Sequence, residues 1–357
     1  MKNVCIFNGD MSRRGGTERM TSLLANALSN SHNVYVVSLS FAGEELFFKL
    51  NESVEHIILP SSGDKLDNIC KIRELHRFIK DKKIDWLINV DVGCCIFGIP
   101  AAKGTKTKVI TWEHANFYNN WNSKVFPYFR KYAAKCSDCV VVLTEKDKNN
   151  YLKNIKTKKP IVVIPNPVET REYKYDINSK IILSAGLLLP IKGFEKAIEA
   201  ASMVLPKYPE WKWEICGDGP ERNKLIALIH KYGLEKQFIL LGTVNNMQDK
   251  YQKSAMYVMT SKMEGLPMVL LEAKSYGLPI VSFDIMTGPS DIVQDGINGY
   301  LVEKDNVVEL AEKIEMLLAD LEMRKQFSAN SQIEIEKFSF EKTLEKWENI
   351  LNAKSIN

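Results

Sequence analysis

SKMEGLPMVLLEAKSYGLPIV, residues 261–281, is the stretch that indicates the fold, because a polar loop passes into a helix and then into a new apolar run. The apolar segment 256–260 just before it predicts a buried strand. Pro267 suits the first turn of the helix, and Gly277 suits its C-terminal cap. Strand, loop and helix in this order are typical of parallel α/β sheets, in which ligands bind beyond the carboxyl ends of the strands.

Two glutamates lie around the start of this helix. Glu264 lies in the loop, and Glu272 lies more than a turn inside the helix, on a face with Met268, Val269 and Leu271. A carboxylate on so apolar a face needs hydrogen-bonding partners, and sugar hydroxyls would serve. The N-terminus of the helix can hold a diphosphate. The pattern therefore predicts a nucleotide-sugar site, with the ribose diol on one carboxylate and hexose hydroxyls on the other.

The same alternation of strands and helices runs through both halves of the chain. Strands are predicted at 4–8, 34–39, 86–90, 108–112 and 139–143, and again at 181–185, 213–217, 238–242, 256–260 and 280–283. Helical patterns separate them, which predicts two doubly wound parallel sheets with helices on both faces. The segment 164–180 has two prolines and no clear period, so it is the natural seam between two domains.

Length and composition exclude several classes of protein. The chain has 357 residues, 45% of them hydrophobic and 26% charged, which is ordinary for a soluble protein of two domains. Its longest apolar run, residues 181–191, is too short to span a bilayer, and the first residues do not resemble a secretory signal. Seven cysteines without regular spacing favour reduced thiols. We therefore expect a cytoplasmic protein.

Positive charge is concentrated in the first half of the chain. Residues 1–170 hold 25 Lys and Arg against 17 Asp and Glu, whereas the remainder holds 23 against 27. A basic half is typical either of a protein with an anionic partner or of an ordinary solvated surface, and the charges alone fit both. The candidates for contact with an anionic acceptor or membrane surface are Arg13, Arg14, Arg73, Arg77 and Lys80, and Arg130, Lys131 and Lys135 extend this basic character. No nucleic-acid recognition motif accompanies them, so no nucleic-acid partner is expected.

Three further loops carry candidate site residues. Gly15 and Gly16 precede a predicted helix and would let the backbone approach an anion, although the loop is neither a P-loop nor a GxGxxG turn. His114 follows a strand, where it is either a substrate contact or a structural histidine. Gly186 ends another strand, and Lys192 follows it as a single cation near a helix start, which suits a phosphate or a solvated turn.

The stretch EGLPMVLLE, residues 264–272, resembles the E-x7-E signature of retaining glycosyltransferases of the GT-B fold, in particular glycosyltransferase family 4. Other motifs of that family occur in the same order: GGTER, EHAN, GLLLPIKGF, CGDGPER, GPSDIV and DGINGYLV. The resemblance covers nearly the whole chain. It implies an α/β fold of two Rossmann-like, doubly wound domains that face each other across a cleft. The acceptor-side domain would comprise residues 1–167 with a returning C-terminal helix in 338–357, and the donor-binding domain residues 168–337.

The resemblance also implies a role for each candidate residue. His114 would touch the transferred sugar, Lys192 would neutralise the departing β-phosphate, Glu264 would bind the sugar hydroxyls, and Glu272 would bind the ribose. Backbone groups would complete the donor site, at Gly15, Gly16, Gly186, Gly265, Leu266, Met268 and Val269.

The implied activity is hexosyl transfer from a UDP-sugar to a growing bacterial surface glycan carried on a lipid, at the cytoplasmic face of the inner membrane. The chain has no D-x-D sequence, so no metal or other cofactor is expected. One position departs from the family, which usually has arginine where this chain has Leu187. The alternatives are a nucleotide-sugar epimerase of the same architecture and a sugar-nucleotide-binding protein that is catalytically weakened at Leu187.

Overall fold

The computed structural model describes residues 1–61, 63, 66–120, 123–170 and 175–353. The chain forms two compact units, residues 1–166 together with 343–357, and residues 167–342. The structure thus divides the chain after Asn166 rather than after residue 167, and it assigns residues 338–342 to the second unit. Within the described residues, no helix is both long and apolar enough to cross a membrane.

The first unit is built on a parallel sheet with the strand order β3-β2-β1-β4-β5-β6-β7. Its strands are β1 (Asn3–Asn8), β2 (Asn33–Ser38), β3 (Glu55–Ile58), β4 (Trp86–Val90), β5 (Lys108–Trp112), β6 (Cys139–Val142) and β7 (Ile161–Val163). Its first helices are α1 (Gly16–Leu28), α2 (Asp67–Asp81), α3 (Val92–Ala102), α4 (Phe126–Cys136) and α5 (Glu145–Asn154). The strand order reverses between β1 and β4, which creates the switch point at which α/β sheets bind ligands.

The second unit has a parallel sheet with the order β10-β9-β8-β11-β12-β13. Its strands are β8 (Ile181–Ala185), β9 (Lys212–Cys216), β10 (Phe238–Gly242), β11 (Met256–Met259), β12 (Ile280–Asp284) and β13 (Gly299–Glu303). Its helices are α6 (Phe194–Val204), α7 (Arg222–Tyr232), α8 (Met247–Gln252), α9 (Met268–Ser275), α10 (Pro289–Ile292), α11 (Val307–Ala319) and α12 (Leu321–Asn330). The order reverses between β8 and β11, so the loops after these two strands lie side by side.

The last helix, α13 (Phe340–Asn352), ends within the first unit. Trp347 is fully buried, and its ring centroid lies 5.0 Å from that of Trp112. The indole N–H of Trp86 donates to the carbonyl of Leu351 over 2.9 Å. The sequence predicted a helix within residues 338–357, and in the structure this helix begins at Phe340 and ends at Asn352. Residues 354–357 of the predicted segment lie outside the described part of the chain.

The structure confirms the doubly wound α/β fold and all ten predicted strands to within one residue at each end. The sequence missed three strands, β3, β7 and β13. All three lie at an edge of their sheet and have only three to five residues. An edge strand is covered by fewer neighbours, so its sequence need not contain the apolar run that marks a central strand.

Candidate functional site

In the second unit, the loops after β8 and β11 are joined by two hydrogen bonds. The amide of Lys262 donates to the carbonyl of Ile191 over 2.8 Å, and the hydroxyl of Thr260 donates to the carbonyl of Lys192 over 3.1 Å. Gly193 has a φ of 64°, and a Cβ there would lie 2.3 Å from the carbonyl oxygen of Thr260. Only glycine permits this approach, which fixes the turn that presents Lys192.

Lys192 and Glu264, two predicted site residues, form an ion pair. The ammonium nitrogen lies 2.6 Å from Oε1 of Glu264, and the two side chains are 22% and 16% exposed. The sequence predicted a single cation here, and the structure adds that the loop from β11 places a carboxylate beside it. An ammonium has three N–H donors, so it can bind a phosphate while it still contacts Glu264.

Glu272, the predicted ribose-binding residue, is partly buried on α9. Its Oε2 accepts a 2.7 Å hydrogen bond from the hydroxyl of Tyr251 on α8, and the Tyr251 ring stacks on that of Tyr276. A protein hydroxyl therefore contacts the carboxylate for which the sequence predicted sugar hydroxyls. No sequence pattern indicated Tyr251, because α8 is a short polar helix and the contact depends on the fold.

The segment 264–267 at the N-terminus of α9 is held by the loop after β12. The hydroxyl of Thr287 donates to the carbonyl of Glu264 over 2.6 Å. Gly288 has a φ of 101°, and a Cβ there would lie 2.4 Å from Cδ of Pro267. Pro267 is the residue before the helix rather than in its first turn, so α9 begins at Met268. The first amides of a helix have no acceptor within it and favour an anion, which applies here to Met268 and Val269.

The glycine-containing loop after β8 is supported by the loop after β9. Gly186 has a φ of 153°, and a Cβ on Gly217 would lie 1.9 Å from the carbonyl oxygen of Gly186. The amide of Leu188 donates to the carbonyl of Asp218 over 3.0 Å. Leu187, where the family usually has arginine, is 57% exposed. A longer side chain at this position therefore has room.

In the first unit, Gly16 begins α1, and nothing lies within 4 Å of a Cβ built on it. A Cβ on Gly15 would instead lie 2.2 Å from Oε2 of Glu18. There is therefore open space beside Gly16, whereas the Glu18 side chain fills the space beside Gly15. Two arginines of the same loop have protein partners. Arg13 lies 3.7 Å from Asp10, and the guanidinium of Arg14 lies over the ring of Phe47 at 4.7 Å.

His114 lies two residues after the end of β5, at the carboxyl edge of the first sheet. Its amide donates to Oδ1 of Asp91 over 3.1 Å, and its ring centroid lies 4.2 Å from that of Trp112. Nε2 is buried, and no hydrogen-bond partner for it lies among the residues that the structure describes. Burial lowers the pKa of His114 to about 4, so the ring is neutral at physiological pH. A neutral imidazole in this position suits a hydrogen bond to a substrate better than proton transfer near pH 7.

The acidic groups beside His114 are strongly perturbed. Burial, followed by the nearby carboxylate of Glu113, raises the pKa of Asp91 to about 6. Asp91 has a φ of 66°, an uncommon conformation for a residue other than glycine. Burial also raises the pKa of Glu113, whose Oε2 accepts hydrogen bonds from Arg130 and Tyr151.

The predicted basic surface of the first unit is only partly present. Arg73, Arg77 and Lys80 are exposed on α2, although Arg77 contacts both carboxylate oxygens of Glu74. Arg130, which the sequence grouped with this surface, is fully buried. Its assignment to the surface was wrong, because it lies on the inner face of α4 and pairs with Glu113.

The comparisons with known proteins agree with this architecture. Residues 14–172 match the model of Glycosyltransferase Family 4, and residues 168–333 match that of Glycosyl transferases group 1. The chain is 30% identical to the amylovoran biosynthesis glycosyltransferase AmsD of Erwinia amylovora, over 99% of this chain and 100% of the relative.

A second relative, from Campylobacter jejuni, is 30% identical over 93% of this chain and 94% of its own length. Its name is GalNAc-alpha-(1->4)-GalNAc-alpha-(1->3)-diNAcBac-PP-undecaprenol alpha-1,4-N-acetyl-D-galactosaminyltransferase. Among solved structures, a mutant of TarM from Staphylococcus aureus in complex with UDP matches with a TM-score of 0.83 at 19% identity, over 99% of this chain and 100% of that one.

Fold and relatives together define a glycosyltransferase with the two Rossmann-like units of the GT-B fold. The chain belongs to glycosyltransferase family 4. The relatives' names refer to amylovoran biosynthesis in one case and to sugar transfer onto an undecaprenol-diphosphate glycan in the other. The comparisons do not favour the epimerase or the weakened binding protein.

Proposed function

We propose that the enzyme is a retaining hexosyltransferase that moves a sugar from a UDP-sugar to a lipid-linked bacterial surface glycan without a metal ion. The observation that carries the proposal is the ion pair of Lys192 and Glu264 beside the N-terminus of α9, with Glu272 on the same helix. A cation and helix amides suit a diphosphate, and two carboxylates suit the hydroxyls on either side of it. The UDP in the TarM structure supports the choice of nucleotide.

In this proposal, the donor lies along the loops of the second unit. Lys192 neutralises the β-phosphate, and Glu264 binds hydroxyls of the hexose. Glu272 accepts hydrogen bonds from the ribose diol in addition to, or in place of, the one from Tyr251. The backbone of Gly186 and of 265–269 approaches the diphosphate. Gly15 and Gly16 stay candidates for contact with an anion, as the sequence predicted.

The reaction breaks the bond between the anomeric carbon and the β-phosphate oxygen and forms a bond from that carbon to an acceptor hydroxyl. In the proposed route, the acceptor attacks on the face that the phosphate leaves, and the departing phosphate oxygen takes the hydroxyl proton. This route depends on positioning and on stabilisation of the leaving charge, which Lys192 and the helix amides provide. The neutral ring of His114 contacts the transferred sugar. The α linkage in the name of the Campylobacter relative supports retention, since it is the product that retention gives from an α-linked UDP-sugar.

The acceptor in this proposal carries a lipid diphosphate. The undecaprenol-diphosphate in the name of the Campylobacter relative supports this assignment. Arg13 and Arg14 are candidates for contact with its phosphates. The exposed cations Arg73, Arg77 and Lys80 on α2 would attract an anionic membrane surface, and each charge near such a surface is worth about 1 kcal/mol. The enzyme would then act as a peripheral protein at the cytoplasmic face.

Calorimetric titration with UDP and GDP in the presence of a chelator tests the donor assignment. We expect UDP to bind more tightly than GDP. We expect Glu272→Ala to weaken UDP binding about 10- to 100-fold, because hydrogen bonds to a charged group contribute about 1.5–3 kcal/mol. Glu199→Ala, which removes a glutamate from a surface ion pair of α6, is the matched control and should leave the affinity unchanged. A preference for GDP, or full UDP affinity in Glu272→Ala, would refute the assignment.

A further inference from the structure

The loop 113–120, which follows β5 and carries His114, is closed by a single side chain from α4. Nε of Arg130 donates to Oε2 of Glu113 over 2.9 Å, at the start of the loop. The other two guanidinium nitrogens donate to the carbonyl of Asn119 over 2.6 Å and to Oδ1 of Asn120 over 2.8 Å, at its end. One guanidinium therefore links both ends of the segment that contains His114.

Two contacts from α5 hold the same loop. The hydroxyl of Tyr151 donates to Oε2 of Glu113 over 2.8 Å, so this oxygen accepts two hydrogen bonds. The amide of Phe117 donates to Oδ1 of Asp147 over 2.7 Å. The loop is thus attached to two helices by buried polar side chains rather than by apolar packing alone.

Stability alone does not explain this arrangement. The side chains of Arg130 and Glu113 are both 0% exposed. A buried ion pair loses much of its Coulombic energy to desolvation, and apolar side chains of similar size stabilise a fold at least as well. A buried guanidinium fixes the direction of each of its hydrogen bonds, and apolar packing provides no such directional constraint.

This fixed geometry bears on the position of the His114 ring. Its ring lies against Trp112, its amide is bonded to Asp91, and its Nε2 has no partner among the described residues although it is buried. We propose that Arg130 is a positioning residue for transfer, which aims the unpartnered Nε2 of His114 by closing the loop 113–120. The inference rests on the proposed function, in which His114 contacts the transferred sugar.

Arg130→Lys is the informative variant, because it keeps the charge that Glu113 needs. A lysine is a point charge and does not reproduce the three directed bonds of the guanidinium. Arg324→Lys is the matched control. Arg324 is a second buried arginine, on α12 of the other unit, and it donates to the carbonyls of Leu317 and Leu318. Both variants exchange a buried guanidinium for an ammonium, and only one of them touches the loop of His114.

The first measurement is a double-mutant cycle on kcat with His114→Ala. We expect Arg130→Lys to lower kcat about 10- to 100-fold in the wild-type background, since misplacement by about 1 Å costs up to about 100-fold. In the His114→Ala background the same change should cost less than about threefold, because coupled residues are not additive. Affinity for UDP, measured by calorimetry, should stay within twofold. An equal loss of kcat in both backgrounds would overturn the proposal.

The second measurement does not depend on activity. The chain has five histidines, and comparison with His114→Ala identifies the ring resonance of His114 in a proton–carbon NMR spectrum. We expect this resonance to shift in Arg130→Lys and to stay in place in Arg324→Lys. An unshifted resonance in a folded Arg130→Lys protein would overturn the proposal. If the wild-type enzyme transfers no hexose from any UDP-sugar, the proposed function fails, and the NMR comparison still decides whether Arg130 positions His114.

Discussion

Replacement of Lys192 by methionine is the perturbation that most sharply separates catalysis from folding. The side chain is 22% exposed and its ammonium lies 2.6 Å from Glu264, so methionine keeps most of the packing and removes only the charge. A partly exposed ion pair contributes about 1 kcal/mol at most, so the melting temperature should fall by only a few degrees.

The effect on transfer should be much larger. In the proposed mechanism, Lys192 stabilises the negative charge that develops on the β-phosphate as the bond to the sugar breaks. Removal of one such preorganised donor typically costs about 100- to 1,000-fold in kcat, or about 3–4 kcal/mol. UDP should bind only about 10-fold more weakly, because the helix amides still contact the diphosphate.

The assay is the initial rate of hexosyl transfer at several donor concentrations, with thermal unfolding measured on the same samples. Lys196→Met is the control, since it breaks the ion pair with Glu199 on α6 at a similar distance of 3.0 Å. It should transfer at the wild-type rate. A Lys192→Met enzyme with kcat within threefold of wild type would refute the role of Lys192 at the leaving phosphate.

Substitutions at Leu187, His114 and Trp347 test other parts of the structure. Leu187→Arg should tighten UDP binding about 3- to 10-fold by calorimetry, because an exposed guanidinium beside the anion site adds an attraction of about 1 kcal/mol; unchanged or weaker binding would contradict it. The pKa of His114 is lowered to about 4 in the folded protein and is near 6.5 when unfolded, so the unfolded chain binds the proton more tightly and stability is lost as the pH falls from about 6.5 towards 4. Between pH 7.5 and pH 5 the wild type should therefore lose about 1–2 kcal/mol more than His114→Asn in urea unfolding, and equal losses would count against the burial of the ring. Trp347→Ala, which empties a fully buried site on α13, should destabilise the first unit by about 3–5 kcal/mol in the same assay, and a loss below 1 kcal/mol would show that α13 is not part of its core.

The central strands could be predicted from the sequence because their positions are buried on both faces. Strands such as β4 and β5 have no exposed position to interrupt an apolar run. The edge strands β3, β7 and β13 were not predicted, because a strand with a partner on one side only need not contain a marked apolar run. The edge strand β10 was predicted because its sequence, FILLG, does contain one.

The sequence singled out the residues of the candidate site but not the contacts between them. The E-x7-E spacing placed both glutamates, and the turn after β8 placed Lys192. No local pattern indicated that Lys192 contacts Glu264, because the two residues meet only when β8 and β11 pair in the sheet. The burial of Arg130 could not be predicted from the sequence either, because a positive charge on a helix is usually solvated. Only the fold brings Glu113 to Arg130.

Hexosyl transfer to a lipid-diphosphate acceptor is the reaction that the proposed function requires. The wild-type enzyme is incubated with UDP-hexoses and a lipid-diphosphate glycan acceptor in the presence of a chelator, and UDP release and the anomeric configuration of the product are followed. We expect UDP release to require the acceptor, to be unaffected by the chelator, and to accompany formation of an α-linked product from an α-linked donor. Release that does not require the acceptor, loss of transfer in the chelator, or a β-linked product would contradict it.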